Sequence, residues 1–365
     1  MPSIARGKCL SIFVYDIGLS IDLNETEHRL ASAKRETIRH KRRAPKYFDY
    51  RPAPIGISQQ AESVRVDERF ATEPQVDLIV YDFGAVSVIY RITLAGDSSG
   101  LLVLSEGLYE NQLLLDDSKR RVEDLLKVIQ GAVTKANISS FVEDYVIFQI
   151  DGFDPPIAIS ELTTQYAQHS AQILRAEARE LSADEVIDAL SHRISFGRDD
   201  VVLVDWNAAL VVDKDAEDIL TILEFANVEL LEMRFLDQRL DEALGLAYER
   251  LSKRSRRWFP SRSNPTDLRD VSQWQVDSAI LFEGVNNVLK LLGDQYLARV
   301  YRLTAQRFHL TEWDASILRK LETLESIYQK ISDQVATRRT EVLEWIVIIL
   351  ITIEIVLPFI SSKFH

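Results

Sequence analysis

Leu343-Glu-Trp-Ile-Val-Ile-Ile-Leu-Ile-Thr-Ile-Glu-Ile-Val-Leu-Pro-Phe-Ile360 places twelve residues of Ile, Val, Leu or Phe between Ile346 and Ile360. At about −0.3 to −0.6 kcal/mol each, these favour bilayer insertion by about 4 to 7 kcal/mol. Glu354 opposes this by about 2.5 to 3.5 kcal/mol if it is charged like an aspartate. The balance predicts one transmembrane helix over 343–360, short beside the usual span of about 20 residues. The competing reading is a buried core helix, which rarely closes on so unbroken an aliphatic run. Lys330, Arg338 and Arg339 flank the segment on its N-terminal side and Lys363 on the other. By the positive-inside rule the bulk stays cytoplasmic, so the expectation is a tail-anchored, single-pass membrane protein.

The 365-residue chain as a whole is 46% hydrophobic and 27% charged, the composition of ordinary folded domains with room for two or three cores. A single cysteine, Cys9, excludes an intrachain disulfide framework. Met1 to Cys9 holds no apolar run before a small-residue cleavage site, so no secretory signal is expected. The formal charge of −13 argues against a surface that coats nucleic acid generally. Two local segments run the other way. Lys34 to Arg51 carries eight Lys or Arg against Glu36 and Asp49, and Arg250 to Arg262 carries six against no acid. A charge run is most often a solvated face, but such segregation also suits binding to phosphates.

Upstream, Lys8–Ile21 reads as a strand or strand pair, with Asn24 capping a helix to about Ile38. Asp77–Phe83 and Ala85–Thr93 read as strands around Gly84, followed by helices over 101–115 and 118–135 and a strand over Glu143–Ile150. That order, β-α-β-β-α-β, is the one of a ferredoxin-like unit with an insertion before its second strand. Ser160 caps a further helix, Ser182-Ala-Asp-Glu185 is a capping box, and Val201–Trp206 with Ala209–Val212 forms a hairpin around Asn207. From Asp213 the pattern is helical. Residues 215–253 are apolar on more than one face, and Glu232, Arg234, Asp237 and Arg239 sit at neighbour spacings suited to an ion network along the helix. Ile317, Leu321, Leu324, Tyr328, Ile331, Val335, Val342, Trp345 and Ile349 alternate spacings of four and three, with Arg338 as the exception. This is a coiled-coil seam, or ordinary amphipathic packing within one domain. The expected fold class is therefore α+β: a ferredoxin-like domain over 1–212, a long helical, coiled-coil-like stalk over 213–342 with a basic loop at 250–266, and the C-terminal transmembrane helix.

Signs of chemistry are few. The six histidines (28, 40, 169, 192, 309 and 365) show no i, i+4 pairing, and no phosphate-cradling glycine motif occurs, so no metal or cofactor is expected. Gly96-Asp-Ser98-Ser-Gly100 matches Gly-x-Ser-x-Gly, with His169 and His192 downstream. A polar surface turn is the plainer reading, because the parallel strand and helix alternation of an α/β-hydrolase is absent.

Arg339-Thr-Glu-Val-Leu-Glu-Trp-Ile-Val-Ile-Ile-Leu-Ile-Thr-Ile-Glu354 resembles the terminal signature of the required-for-meiotic-nuclear-division family. Leu223-Glu-Phe-Ala-Asn-Val-Glu-Leu-Leu-Glu-Met-Arg-Phe-Leu-Asp237 and Tyr81-Asp-Phe-Gly84 look consistent with a bacterial branch of it. The resemblance implies a membrane-anchored, non-enzymatic protein; its mitochondrial members support organellar translation from the inner membrane. The chain departs from it in lacking an Arg/Ser-rich transit peptide and in carrying the basic insertion after Leu251.

The first functional expectation is a non-enzymatic, homo-oligomeric scaffold or tether at the membrane. A stalk over Glu312–Glu344 rises about 50 Å, and an antiparallel return would bring Lys253, Arg254, Arg256, Arg257, Trp258, Phe259 and Arg262 back to anionic lipid, beside Trp345. Glu354, at a non-seam heptad position without a cationic partner in the span, is the expected oligomer contact. The alternative is an RNA- or ribosome-binding module acting through Arg39, Lys41, Arg42, Arg43, Lys46, Tyr47 and Arg51, where cations serve phosphates and rings stack on bases.

Overall fold

From Cys9 to Gly18 every residue is buried, so the strand β1 (Ser3–Asp16) has no solvent face over its second half. A strand of that kind needs partners on both edges and cover on both sides. The computed structural model, which describes residues 2–32, 39–42, 52–255 and 295–361, supplies both. β1 is paired antiparallel with β6 (Ala85–Asp97) on one edge and with β8 (Val142–Asp154) on the other. Beyond β6 follow β5 (Gln75–Val80), β4 (Ile55–Gln60) and β3 (Arg39–Arg42), all antiparallel. Beyond β8 come β11 (Ala208–Val212), the one parallel neighbour, then β10 (Val201–Val204) and β9 (Arg193–Ile194). Among the described residues this makes a nine-stranded mixed sheet, β3-β4-β5-β6-β1-β8-β11-β10-β9. A two-stranded ribbon of β2 (Ser20–Ile21) and β7 (Val133–Thr134) stands apart from it.

The pleat sends alternate residues to two different environments. On one face Cys9, Phe13, Tyr15, Val88, Tyr90, Phe148 and Ile150 join an apolar core with residues of α2 (Gly100–Leu108), α3 (Gln112–Ile129) and α4 (Ala167–Arg175). Helices α1 (Leu23–Ser32) and α5 (Ala183–Ala189) add Leu30 and Ala189 to this core. Its two buried tyrosines find partners: the Tyr15 and Ser118 hydroxyls bond at 2.6 Å, and the Tyr90 hydroxyl donates to Asp117 at 2.7 Å. The opposite face meets the first half of the long helix α6 (Glu217–Ser255), whose residues from Ile219 to Met233 are almost all buried; α7 (Gln295–Arg307) and α8 (Leu310–Ser361) come later in the chain. The two sheet segments around Asp16 and Gly84 touch so closely that a Cβ on Gly84, at φ +111°, would lie 1.9 Å from the Gly18 carbonyl oxygen. Glycine is required there.

The described residues fall into two compact units, the first up to Leu236 together with 295–315, the second from Asp237 to 255 together with Ser316 onward. In the second, Leu240, Ala243 and Ala247 on α6 and Ile317, Leu324 and Ile327 on α8 are buried, and Lys320 is shared between Asp237 at 2.8 Å and Asp241 at 2.7 Å.

Three expectations are corrected. The four strands read as a ferredoxin-like unit do lie together, in the order β5-β6-β1-β8 with every pair antiparallel, but five more strands extend them, so the fold is α+β around a large mixed sheet. The stalk over 213–342 is not formed as such. The first twenty residues of α6 and all of α7 are built into the unit that holds the sheet, because their buried side chains answer groups on its second face. Finally, among the described residues no helix is long and apolar enough to cross a membrane, which overturns the transmembrane helix over 343–360, the tail anchor and the single-pass membrane location. Glu344 and Glu354 leave only the nine residues Trp345–Ile353 uncharged between them, about 14 Å of helix against about 30 Å of hydrocarbon.

Candidate functional site

The basic cluster Arg39-His-Lys-Arg42 folds as β3, the last strand on one side of the sheet among the described residues. Its register on β4 is fixed by four pairs, Arg39 with Ser58, His40 with Ile57, Lys41 with Gly56 and Arg42 with Ile55. Four consecutive basic residues thus run along a sheet margin. The sequence carries no strand signal here, since Arg39–Arg42 lacks apolar alternation and its partner strand Ile55-Gly-Ile-Ser-Gln-Gln60 follows directly on Pro52-Ala-Pro54. Arg43, Lys46, Tyr47 and Arg51 lie outside the described residues.

The second face of the sheet carries a buried polar seam. Glu224 accepts hydrogen bonds from the Tyr81 hydroxyl at 2.7 Å and from the Ser87 hydroxyl, and Glu229 accepts one from the Tyr301 hydroxyl at 2.5 Å. Burial lifts Glu229 to a pKa of about 7 against the Tyr301 hydrogen bond, and the Asp314 charge adds to the rise. Glu232 is fully buried and neither of its oxygens meets a donor; burial, then the Asp16 carboxylate, hold its pKa well above the ordinary range. Arg234, two residues on, is engaged by Glu143 of β8. Two members of the ion network expected along the helix have ion-pair partners far off in sequence, Glu143 for Arg234 and Lys320 for Asp237, while Glu232 meets a like charge, Asp16.

At the β10–β11 turn, Asp205 is completely buried between two arginines, each in the last turn of its helix. Arg175 Nε stands 2.5 Å from one carboxylate oxygen and Arg307 Nε 2.8 Å from the other. Both guanidinium groups also reach Asp188 of α5, at 2.6 and 2.8 Å. The carboxylates outweigh burial and raise Arg307 further, while burial and then the Arg307 charge lower His192 beside it.

Two other places are polar without forming a reactive constellation. Ser98 of the Gly-x-Ser-x-Gly match is buried, its hydroxyl makes no hydrogen bond, and His169 approaches its backbone carbonyl, at 3.5 Å, rather than the hydroxyl. Ser98 is also absent from the residues with positive φ, so the strained nucleophile turn is not formed. A cleft of about 120 Å³ is lined by Arg6, Lys8, Gln149, Asp151, Lys214 and Glu217. Its charges largely cancel, since Arg6 pairs with Asp151 at 2.6 Å and Lys8 with Glu217 at 2.5 Å. Among the described residues no group of three or more His, Cys, Asp or Glu is placed to hold a metal ion.

Of the residues expected to meet lipid, Lys253 falls in the last turn of α6 with Arg254, and Arg256, Arg257, Trp258, Phe259 and Arg262 lie outside the described residues. Trp345 and the expected oligomer contact Glu354 are both part of α8.

Residues 6–218, from β1 through the start of α6, match the model of a family described as "Uncharacterized protein MJ0711, N-terminal domain". The chain belongs to that family. A relative, the uncharacterized protein MJ0711 of Methanocaldococcus jannaschii, is 24% identical over 280 residues, which cover 74% of this chain and 84% of the relative. No solved structure matches the chain. The family region contains the whole sheet, the basic strand and Asp205. It ends before the segment 339–354 that carries the resemblance to the required-for-meiotic-nuclear-division family.

Proposed function

We propose that this protein is a non-enzymatic binding module that takes single-stranded RNA along its basic sheet margin. The observation that carries the reading is the placement of Arg39-His-Lys-Arg42 as the last strand, among the described residues, on one side of the sheet, in a chain whose formal charge is otherwise strongly negative. The strand brings Arg39, Lys41 and Arg42 to one margin of the sheet, and Lys and Arg are the residues that serve the phosphates of a bound strand. Outside the second basic segment, Arg250–Arg262, the acidic remainder repels nucleic acid. Basic residues also protect a sheet edge from pairing with another chain, so the assay must separate recognition from protection. Fluorescence anisotropy with an unstructured RNA oligonucleotide makes the separation. Three phosphate contacts predict a slope of about −2 in log K against log salt, and replacing Arg39, Lys41 and Arg42 together by Ala is expected to weaken binding at least tenfold. Equal affinity of the variant, or no binding at low salt, contradicts the reading.

A second reading, a scaffold built of copies of this chain, draws on the end of α8. Val347, Ile348, Leu350 and Ile351 are each half exposed or more, a run of aliphatics that a helix seldom leaves to solvent. Sedimentation of the full chain is expected to give an oligomer that Ile348→Lys with Ile351→Lys dissociates. A wild-type monomer at tens of micromolar removes this reading.

A further inference from the structure

The turn that holds Asp205 presents its next residue, Trp206, to solvent, 66% exposed. Tryptophan is enriched among the residues that dominate interfaces, and this one stands on a turn that cannot move freely. The Trp206 backbone N–H donates to Asp205 Oδ1 at 2.8 Å, and the Asp205 N–H to the Ala208 carbonyl at 2.9 Å. From the neighbouring strand β8, the Tyr145 hydroxyl donates to the Asp205 carbonyl at 2.8 Å and the Val146 N–H to the Asn207 carbonyl at 3.4 Å. A side chain carried on so fixed a turn loses little freedom when a partner covers it.

A chain of ion pairs joins this turn to α5. Arg175 Nε and Arg307 Nε meet Asp205 at 2.5 and 2.8 Å, the same two guanidinium groups meet Asp188 at 2.6 and 2.8 Å, and Arg175 also meets Glu185 at 3.1 Å. Solvent does not see these charges equally. The side chains of Arg175 and Arg307 are 17% and 12% exposed and Asp205 is covered, whereas those of Glu185 and Asp188 are 55% and 54% exposed. Ile187, between the two acids in the sequence of α5, is exposed as well. The outer surface therefore shows carboxylates beside two large apolar side chains, and its complement is a basic segment with apolar side chains of its own. Of the two basic segments of this chain, Arg250–Arg262 has no acid and adds Trp258 and Phe259. We propose that Trp206, Ile187, Glu185 and Asp188 form a docking surface for residues 250–262 of a second copy of this chain. The arginines of that segment meet the exposed carboxylates and the indole face, and its two aromatic rings cover the apolar part. The contact joins two different surfaces, so copies add head to tail. It lies toward the opposite side of the sheet from β3 and so leaves the basic margin free.

The test titrates a fluorescent peptide of residues 250–262 with the full chain and reads anisotropy. Half-saturation is expected below about 100 µM at low salt, rising as salt is added. Trp206→Ala is expected to weaken binding at least about tenfold, and its unchanged melting temperature checks that a surface residue was removed without loss of the fold. A peptide with Trp258 and Phe259 both replaced by Ala should lose affinity to the same degree. Glu185→Ala with Asp188→Ala should weaken binding and flatten its dependence on salt. No saturation by about 100 µM chain overturns the proposal, as does an affinity that Trp206→Ala leaves unchanged. RNA binding weakened by Trp206→Ala while peptide binding stays the same would give the indole to nucleic acid and overturn it too.

Discussion

Replacing Asp205 by Ala is expected to lower the unfolding free energy by about 3–5 kcal/mol, because it leaves two mostly covered guanidinium groups without their shared, fully buried anion. Asp205 has no exposed surface, and its carboxylate lies between Arg175 and Arg307. Its backbone carbonyl accepts the buried Tyr145 hydroxyl at 2.8 Å, so the turn is fixed from both sides. The arginines come from the ends of α4 and α7, and Asp205 thereby ties two helices to the far side of the sheet. Asp188 touches both arginines but is about half exposed, so Asp188→Ala is expected to cost less than about 1 kcal/mol. Urea denaturation of the two variants measures the contrast. A loss below about 1 kcal/mol for Asp205→Ala would mean that the pair of arginines is solvated without it.

The second large effect is on pH. Glu229 is neutral in the folded and the unfolded chain below pH 4.5, its ordinary value, and takes nothing from stability there. As pH rises from 4.5 to about 7 the unfolded chain gives up its proton while the folded chain keeps it, so stability falls with each step. Above that range both are ionised and the loss is complete, at about 3 kcal/mol. Glu232 moves in the same direction. Glu229→Gln keeps an acceptor for the Tyr301 hydroxyl and cannot ionise, so it is expected to be level with wild type near pH 4.5 and more stable by about 3 kcal/mol at pH 8. Chemical denaturation across that range decides it, and parallel pH profiles for the two proteins would show that Glu229 does not titrate as described.

Local signals were legible where the structure is local. Ser182 caps α5 by accepting from the Glu185 backbone N–H at 3.2 Å, the strands Val201–Val204 and Ala208–Val212 pair as a hairpin, and the apolar first half of α6 is packed on all sides. Of the sheet, the β10–β11 hairpin and the central strands β1, β5, β6 and β8 were legible, the latter because they are rich in β-branched and aromatic residues. Its margin was not. Arg39–Arg42 has no hydrophobic alternation and becomes a strand through β4 alone. The sites assembled from distant parts were beyond any spacing argument, as Asp205 with Arg175 and Arg307 illustrates. The aliphatic run before Ile360 misled for a different reason: composition alone was weighed, while the glutamates that bracket Trp345–Ile353 set the usable length.

The claim on which the functional account rests is that RNA lies along β3, and photo-crosslinking of RNA to the full chain, followed by mass spectrometric mapping, tests it most directly. The account predicts adducts concentrated between Arg39 and Arg51 and lost at high salt. Adducts spread over the acidic surface, or confined to Arg250–Arg262, would contradict it.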